Sequence, residues 1–229
     1  VQLSTRLSAL VQYVPHGSRV IDVGTDHAYI PIYLIKNNRA VSCLATDINA
    51  GPLKKAAHNI KQHHIHQIRL KQTNGLEGVC EEDGDVIMIS GMGGYLIIDI
   101  LERAKKLVSG IRKLILQPQQ DIDEVRRYLH QIGFRIEDED FVIDDDKYYT
   151  VIVAVPGNEH YAHTYEYVYG KCLIEKGLPV FKEWLVKKKE KLEEISAALQ
   201  DKESESVVKR RQELAKELAM HREVMACLF

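Results

Sequence analysis

Between Arg19 and Ile132 short apolar runs alternate with longer amphipathic segments, and this alternation limits the fold more than any other feature of the chain. Arg19–Val23, Ser42–Asp47, Ile68–Leu70, Asp85–Ile89 and Lys113–Leu116 read as strands. Ala28–Lys36, Pro52–His63, Tyr95–Lys106 and Asp121–Ile132 read as helices, with Pro31 and Pro52 tolerable because each lies in a first turn. Strands alternating with helices of this length predict a parallel α/β sheet covered on both faces. Ahead of it, Leu3, Leu7, Leu10, Val11 and Val14 recur at helical spacing, predicting a lead-in helix stopped by Pro15 and Gly17.

The pattern changes after Ile132. Phe134–Ile143 and Tyr148–Val155 are extended segments joined by Asp144–Lys147, with no room for a helix, so they are expected to form an antiparallel hairpin. Five parallel strands ending in such a hairpin differ from the nucleotide fold of six parallel strands. Beyond Pro156-Gly157 no strand pattern recurs. Phe181, Leu185, Leu192, Ile195 and Leu199, then Val207, Leu214, Leu218, Met225 and Leu228, keep mostly three-and-four spacing. These predict two helices of about 20 residues, joined near Asp201–Glu205 and packed as a coiled-coil-like antiparallel hairpin. The expected domains are therefore residues 1–157 and 158–229.

Charge and composition narrow the function classes. Lys+Arg is 31 against Asp+Glu 33, a net charge of −2, so a polycation that coats nucleic acid is excluded and any such binding needs a local patch. Lys171–Lys191 offers one: seven lysines against three glutamates, read as a basic strip on an otherwise neutral helix. A solvated helix face is the alternative reading of that strip. Cys43, Cys80, Cys172 and Cys227 are scattered without a CxxC pair, as expected of reduced structural cysteines. No apolar run spans a membrane, and the first residues lack a secretory pattern, so a cytoplasmic protein is expected.

The chemistry concentrates where strands end. Val20–Val23 runs into Gly24-Thr25-Asp26-His27-Ala28, a glycine turn opening a helix, yet Asp26 occupies the second glycine position of a dinucleotide fingerprint. A carboxylate there repels a pyrophosphate and suits a ligand with a cationic amino group. Asp47, ending the second strand, is placed to accept ribose hydroxyls, with capping of the next helix as the alternative. Asn74-Gly75 follows the third strand, where an amide can bond an adenine edge. Gly91-Met92-Gly93-Gly94 follows the fourth, where glycines permit close backbone approach. His63-His64-x-His66 reads as exposed loop histidines, so no metal site is expected.

Taken together, Leu3-Ser4-x-Arg6-Leu7, Asp22–Ala28, Ala45-Thr46-Asp47-Ile48, Asn74-Gly75-Leu76, Gly91–Gly94 and Leu116-Gln117-Pro118 resemble the bacterial TrmK family over the whole chain. These are tRNA (adenine-22-N1)-methyltransferases of Gram-positive bacteria with a class I S-adenosylmethionine-dependent fold and a C-terminal helical coiled-coil domain. The resemblance implies that Asp22, Gly24, Asp26, His27, Asp47, Ile48, Asn74, Gly75, Gly91, Met92 and Gly93 bind S-adenosyl-L-methionine. It implies Asp26, then His27, as the groups that stabilise charge or take a proton. Tyr29 is a candidate for stacking on the target base. Arg6, Lys36, Arg39, Lys54, Lys55 and the run Lys187, Lys188, Lys189 and Lys191 are candidates for tRNA phosphate contacts, with 158–229 as the tRNA-binding domain. One departure bears on the reaction: amino-directed adenine methyltransferases carry an Asp/Asn-Pro-Pro-aromatic motif after the fourth strand. Here Ser90-Gly91-Met92-Gly93 fills that slot, which fits attack by a ring nitrogen. Methyl transfer to another RNA or a small molecule, and a non-catalytic RNA-binding protein, are the alternatives. Helix-pair spacing serves a dimer or a monomer; a monomer is expected.

Overall fold

A computed structural model describes residues 2–200 and 204–229. Its strands β1 (Ser18–Val23), β2 (Ala40–Asp47), β3 (Ile68–Gln72), β4 (Val86–Met92) and β5 (Lys113–Pro118) pair in parallel. Strand β6 (Phe134–Asp144) follows, and β7 (Lys147–Pro156) inserts antiparallel between β5 and β6. The sheet order is β3-β2-β1-β4-β5-β7-β6, the five parallel strands and terminal hairpin that the sequence pattern predicts. The hairpin turns on Asp145 and Asp146 alone, at φ +47° and +57°. Two successive left-handed residues match the twist of the flanking strands, and Asp tolerates that conformation better than most side chains.

Helices α1 (Thr5–Val11), α2 (Tyr29–Lys36) and α3 (Ala50–Gln62) contribute Leu10, Ile32 and Ala56 to one core cluster, which also holds Val20, Ala45, Met88 and Ile115 from the sheet. Side chains alternate faces along a strand, so Asp22 shares the face of Val20 and Gln117 the face of Ile115. Ser4 caps α1 by accepting the Leu7 N–H at 3.4 Å, shortening the expected lead-in helix. The single helix expected over Tyr95–Lys106 is instead α4 (Gly94–Arg103) and α5 (Lys105–Val108), parted at Ala104, whose φ of −110° leaves the helical region. Helix α6 (Ile122–Gln131) packs beside β6 through a buried ion pair, Arg126 Nε to Glu139 Oε1 at 2.7 Å.

Contacts divide the chain into two units, Val1–His160 and Tyr161–Phe229. The second unit holds a π-helical turn (Glu166–Gly170), then α7 (Lys171–Lys176), α8 (Pro179–Ala198) and α9 (Glu205–Leu228). Lys188–Glu217, Leu185–His221 and Gln200–Arg211 are partners, so α8 and α9 run antiparallel. Part of the expected connection, residues 201–203, lies outside the described residues. The lysine-rich stretch does not ride on one helix. Gly177, left-handed at φ +55°, ends α7 and Pro179 opens α8, so Lys171 and Lys176 part from the rest. Among the described residues no helix is long and apolar enough to cross a membrane.

Candidate active site

Strand order reverses between β1 and β4, and in open α/β sheets that reversal leaves a crevice at the carboxyl ends of the strands. The turns after β1, β2, β3 and β4 are tied together there. The Gly24 and Thr25 N–H groups donate to the Thr46 carbonyl at 2.9 and 3.0 Å, and the Thr73 N–H donates to the Asp47 carbonyl at 3.0 Å. The Thr46 hydroxyl, itself buried, donates to the Gly75 carbonyl at 3.2 Å. Thr46 is thus the hub of the crevice, and sequence reasoning missed it, although a threonine before the strand-ending acid was the available signal. The fourth turn joins through Met92, whose Cε lies where a β-carbon on Gly24 would need to be.

The β1 turn holds an unusual backbone. Gly24 at φ +75°, Asp26 at +49° and Ala28 at +59° alternate with ordinary residues, a path that costs free energy at the two non-glycine positions. It turns Asp26 outward, where its Oδ2 lies 3.5 Å from His27 Nε2 and the His27 ring stacks on Tyr29 at 5.3 Å. Asp22 lies behind the turn, 3% exposed. Burial pushes its carboxyl up to about 6, the Thr25 hydroxyl pulls the other way, and the Asp47 carboxylate adds to the rise. Asp47 accepts the Asn49 N–H through Oδ1 at 2.8 Å and so shapes the entry to α3. Ile48 beside it is exposed.

Asn74 lies within reach of Arg103, its Oδ1 accepting from Nη2 at 3.5 Å. It also lines a separate cavity of about 600 Å³ beside α4, walled in part by a 3₁₀ turn (Glu81–Asp83) between β3 and β4. Of the residues that the sequence offers for ligand binding that cavity holds only Asn74, and its guanidinium, Arg103, is already paired with Glu77 and Asp99. The other candidate residues gather at the strand-end crevice. There Gly91 is left-handed at φ +76°, and no atom lies within 4 Å of a β-carbon placed on Gly93. These bare glycines, with three carboxylates along one edge, fit a ligand that brings an amino group and a ribose close to the backbone.

Arg6 reaches the same edge from α1. Its Nη1 donates to Gln117 Oε1 at 2.9 Å, and the guanidinium covers the Tyr149 ring at 5.4 Å. The sequence assigns no role to Gln117 or Tyr149; a lone glutamine following the apolar run Leu114–Leu116 is the signal for the first, which the structure shows fully buried. Lys36, Lys54 and Lys55 lie on α2 and α3, whereas Arg39 donates to the Gln12 and Val14 carbonyls. Lys187, Lys188 and Lys189 belong to α8 and pair with Glu183, Glu217 and Glu193. Lys188 also covers the Tyr169 and Trp184 rings. Among the described residues no cluster of His, Cys, Asp and Glu could hold a metal ion.

A sequence profile for tRNA (adenine(22)-N(1))-methyltransferases matches residues 20–223. The Bacillus subtilis tRNA (adenine(22)-N(1))-methyltransferase is 35% identical over 164 residues, 71% of this chain and 69% of that protein. The crystal structure of the B. subtilis m1A22 tRNA methyltransferase TrmK superposes with a TM-score of 0.88 at 30% identity, covering 97% of this chain and 98% of that one. Streptococcus pneumoniae Sp1610, solved in complex with S-adenosyl-L-methionine, superposes at 0.87 with 32% identity over 97% of this chain and 99% of that one.

Proposed function

The chain belongs to the tRNA (adenine(22)-N(1))-methyltransferase family, and from that premise we propose that it transfers a methyl group from S-adenosyl-L-methionine to N1 of adenine 22 in tRNA. The observation that carries this reading at the level of the site is the Thr46-centred junction, which gathers the turns bearing Gly24, Asp47, Gly75 and Gly91 on one sheet edge. When bound, the cofactor supplies an electrophilic methyl group on a cationic sulfur.

The protein's part is to orient and to manage charge. Gly24, Gly91 and Gly93 admit the ligand to the backbone, Asp22 and Asp26 face its ammonium group, Asp47 takes the ribose, and Ile48, Asn74 and Gly75 flank the adenine. Holding a nucleophile in line with the methyl group is worth on the order of 7–11 kcal/mol at best. N1 of adenine carries a lone pair and needs no activation, which agrees with the missing acid and aromatic ring at Ser90–Gly93. Positive charge develops on the base, and Asp26, with His27 beside it, is positioned to stabilise it or to take a proton from N6. The target base lies inside folded tRNA and must leave its stack, with Tyr29, 43% exposed, as the surface to receive it. Residues 158–229 hold the tRNA through the α8 lysines, and the substrate places the work in the cytoplasm.

The test is methyl transfer to unmodified tRNA transcripts followed by nucleoside mass spectrometry. We expect 1-methyladenosine, lost when adenine 22 is replaced. Cofactor binding without transfer would point to another RNA or a small molecule. Absence of cofactor binding would leave a non-catalytic RNA-binding protein.

A further inference from the structure

The large apolar side chains exposed on the first unit are unevenly spread. Tyr29, Ile48, Tyr95 and Leu96 follow the carboxyl ends of β1, β2 and β4, whereas Val41 and Ile143 lie elsewhere. Exposed apolar residues scattered singly need no explanation, but a group of them around one crevice marks a contact surface. Tyr95 is the most exposed of the six, at 62%. Among the described residues no ring stacks on Tyr95 and no cation covers it, while one face of Tyr29 is already taken by His27 at 5.3 Å.

The backbone beneath Tyr95 is firmly held. The Gln119 N–H donates to the Met92 carbonyl at 2.9 Å and the Gly94 N–H to the Gln120 carbonyl at 3.0 Å, so the turn between β5 and α6 fixes the start of α4. Gly94 packs so closely there that a β-carbon would stand 2.6 Å from the Gln120 and Asp121 carbonyl oxygens. Between Ser90 and Tyr95 the chain offers little to a substrate: Gly91, Gly93 and Gly94 carry no side chain, and Met92 runs to Gly24. Ile97, Ile100 and Leu101 bury the opposite face of α4. Tyr95, in the first turn, is therefore the first large side chain after Ser90 that is open to a ligand at the strand ends.

A base that leaves its stack to enter such a site loses the neighbours on both of its faces, and the site must replace them. We propose that Tyr95 stacks on the target adenine, covering the face turned away from Tyr29, and so supplies from the first turn of α4 the aromatic ring that Ser90–Gly93 lacks. A tyrosine suits this place because it offers a broad rigid face with few torsions to fix on contact. The role rests on the adenine methylation proposed above.

Equilibrium binding of tRNA transcripts carrying either adenine or an abasic site at position 22, with S-adenosylhomocysteine present, tests this as a double-mutant cycle. Tyr95→Ala is expected to weaken the adenine-bearing complex by about 5- to 100-fold, the range of one base–aromatic stack, and the abasic complex by less than about twofold. Tyr95→Phe keeps the ring and is expected to hold the adenine-bearing complex within about threefold of wild type. Affinity for S-adenosylhomocysteine alone is expected to stay within about twofold in both variants, since the ring meets the base and not the cofactor. Equal weakening of the two transcripts places Tyr95 against another part of the tRNA and overturns the assignment, as does unchanged affinity for both. A parallel loss of S-adenosylhomocysteine affinity marks a part in shaping the site and overturns it as well. If wild type forms no 1-methyladenosine at position 22, the methylation reading itself fails, an outcome distinct from the other three.

Discussion

A β-carbon on Gly24 would stand 2.5 Å from the Cε of Met92, the contact through which the β1 and β4 turns meet. The methionine tip can swing aside, so the larger penalty for Gly24→Ala is conformational: φ of +75° costs a residue with a side chain about 1–2 kcal/mol. Thermal unfolding should register that loss, and calorimetry should show S-adenosylhomocysteine bound at least tenfold more weakly. Adding Met92→Ala should relieve the contact without restoring stability. Unchanged affinity in Gly24→Ala would remove this turn from the ligand site.

Asp22 should leave a mark on stability against pH. Its folded carboxyl titrates at about 6 against 3.8 for the free group, so between these values the folded state binds more protons than the unfolded one. Stability of the ligand-free protein therefore falls as pH rises through this window, by on the order of 3 kcal/mol in all. Asp22→Asn should flatten that slope. Chemical denaturation at several pH values between 4 and 7 measures it, and an identical slope in the variant would contradict the origin assigned here.

Asp26→Asn should lower the rate of methyl transfer by about 100-fold or more, in the range a positioned acid–base group supplies. Single-turnover rates at saturating cofactor separate this from a binding defect. Near-normal rates would deny Asp26 a chemical part.

In the second unit, His221 is buried with both ring nitrogens engaged, Nδ1 3.0 Å from the Tyr169 hydroxyl and Nε2 3.0 Å from the Leu185 carbonyl. Burial lowers its basicity, and the nearby Lys188 and Lys189 charges add to that, while the Leu185 bond and Glu217 oppose it. The unfolded chain takes up the proton first, so stability is fully present above pH 6.5 and declines as pH falls below it. His221→Gln should remove this decline, read as the pH dependence of α8–α9 amide exchange.

The α8 lysines should divide by partner. Lys188 covers two rings and pairs with Glu217, so Lys188→Ala should destabilise the helix pair. Lys187→Ala and Lys189→Ala break only surface pairs, worth little to folding. Each should instead reduce the salt dependence of tRNA binding by about one phosphate contact in a salt-titrated binding assay. An unchanged slope would mean a solvated face.

Where local physics dominates, the fold was readable in advance. Val20, Ile87 and Leu116 lie in runs apolar on both faces, so parallel pairing followed, and Asp144–Lys147 had no length for anything but a hairpin turn. The break at Ala104 was not readable, because neither glycine nor proline marks it. The division of the lysine strip could have been found from Gly177 and Pro179, which are stop and start residues. In the site, Gly24, Asp47 and Gly91 announce themselves by residue type at strand ends. Thr46 and Gln117 show only as polar residues in apolar strands, since their importance lies in partners 29 and 111 residues away, which only the folded chain brings within reach.

The place of β7 in the sheet has a consequence for synthesis on the ribosome. Leu114–Leu116 of β5 pair with Ile152–Ala154, and β7 is the last strand of the first unit to be made. Until residue 154 has left the exit tunnel, a central apolar strand presents a bare edge to whatever nascent chain is nearby. Every ribosome translating this message passes through that vulnerable interval. Stalling just before the hairpin is therefore more hazardous to the growing polypeptide than stalling just after it.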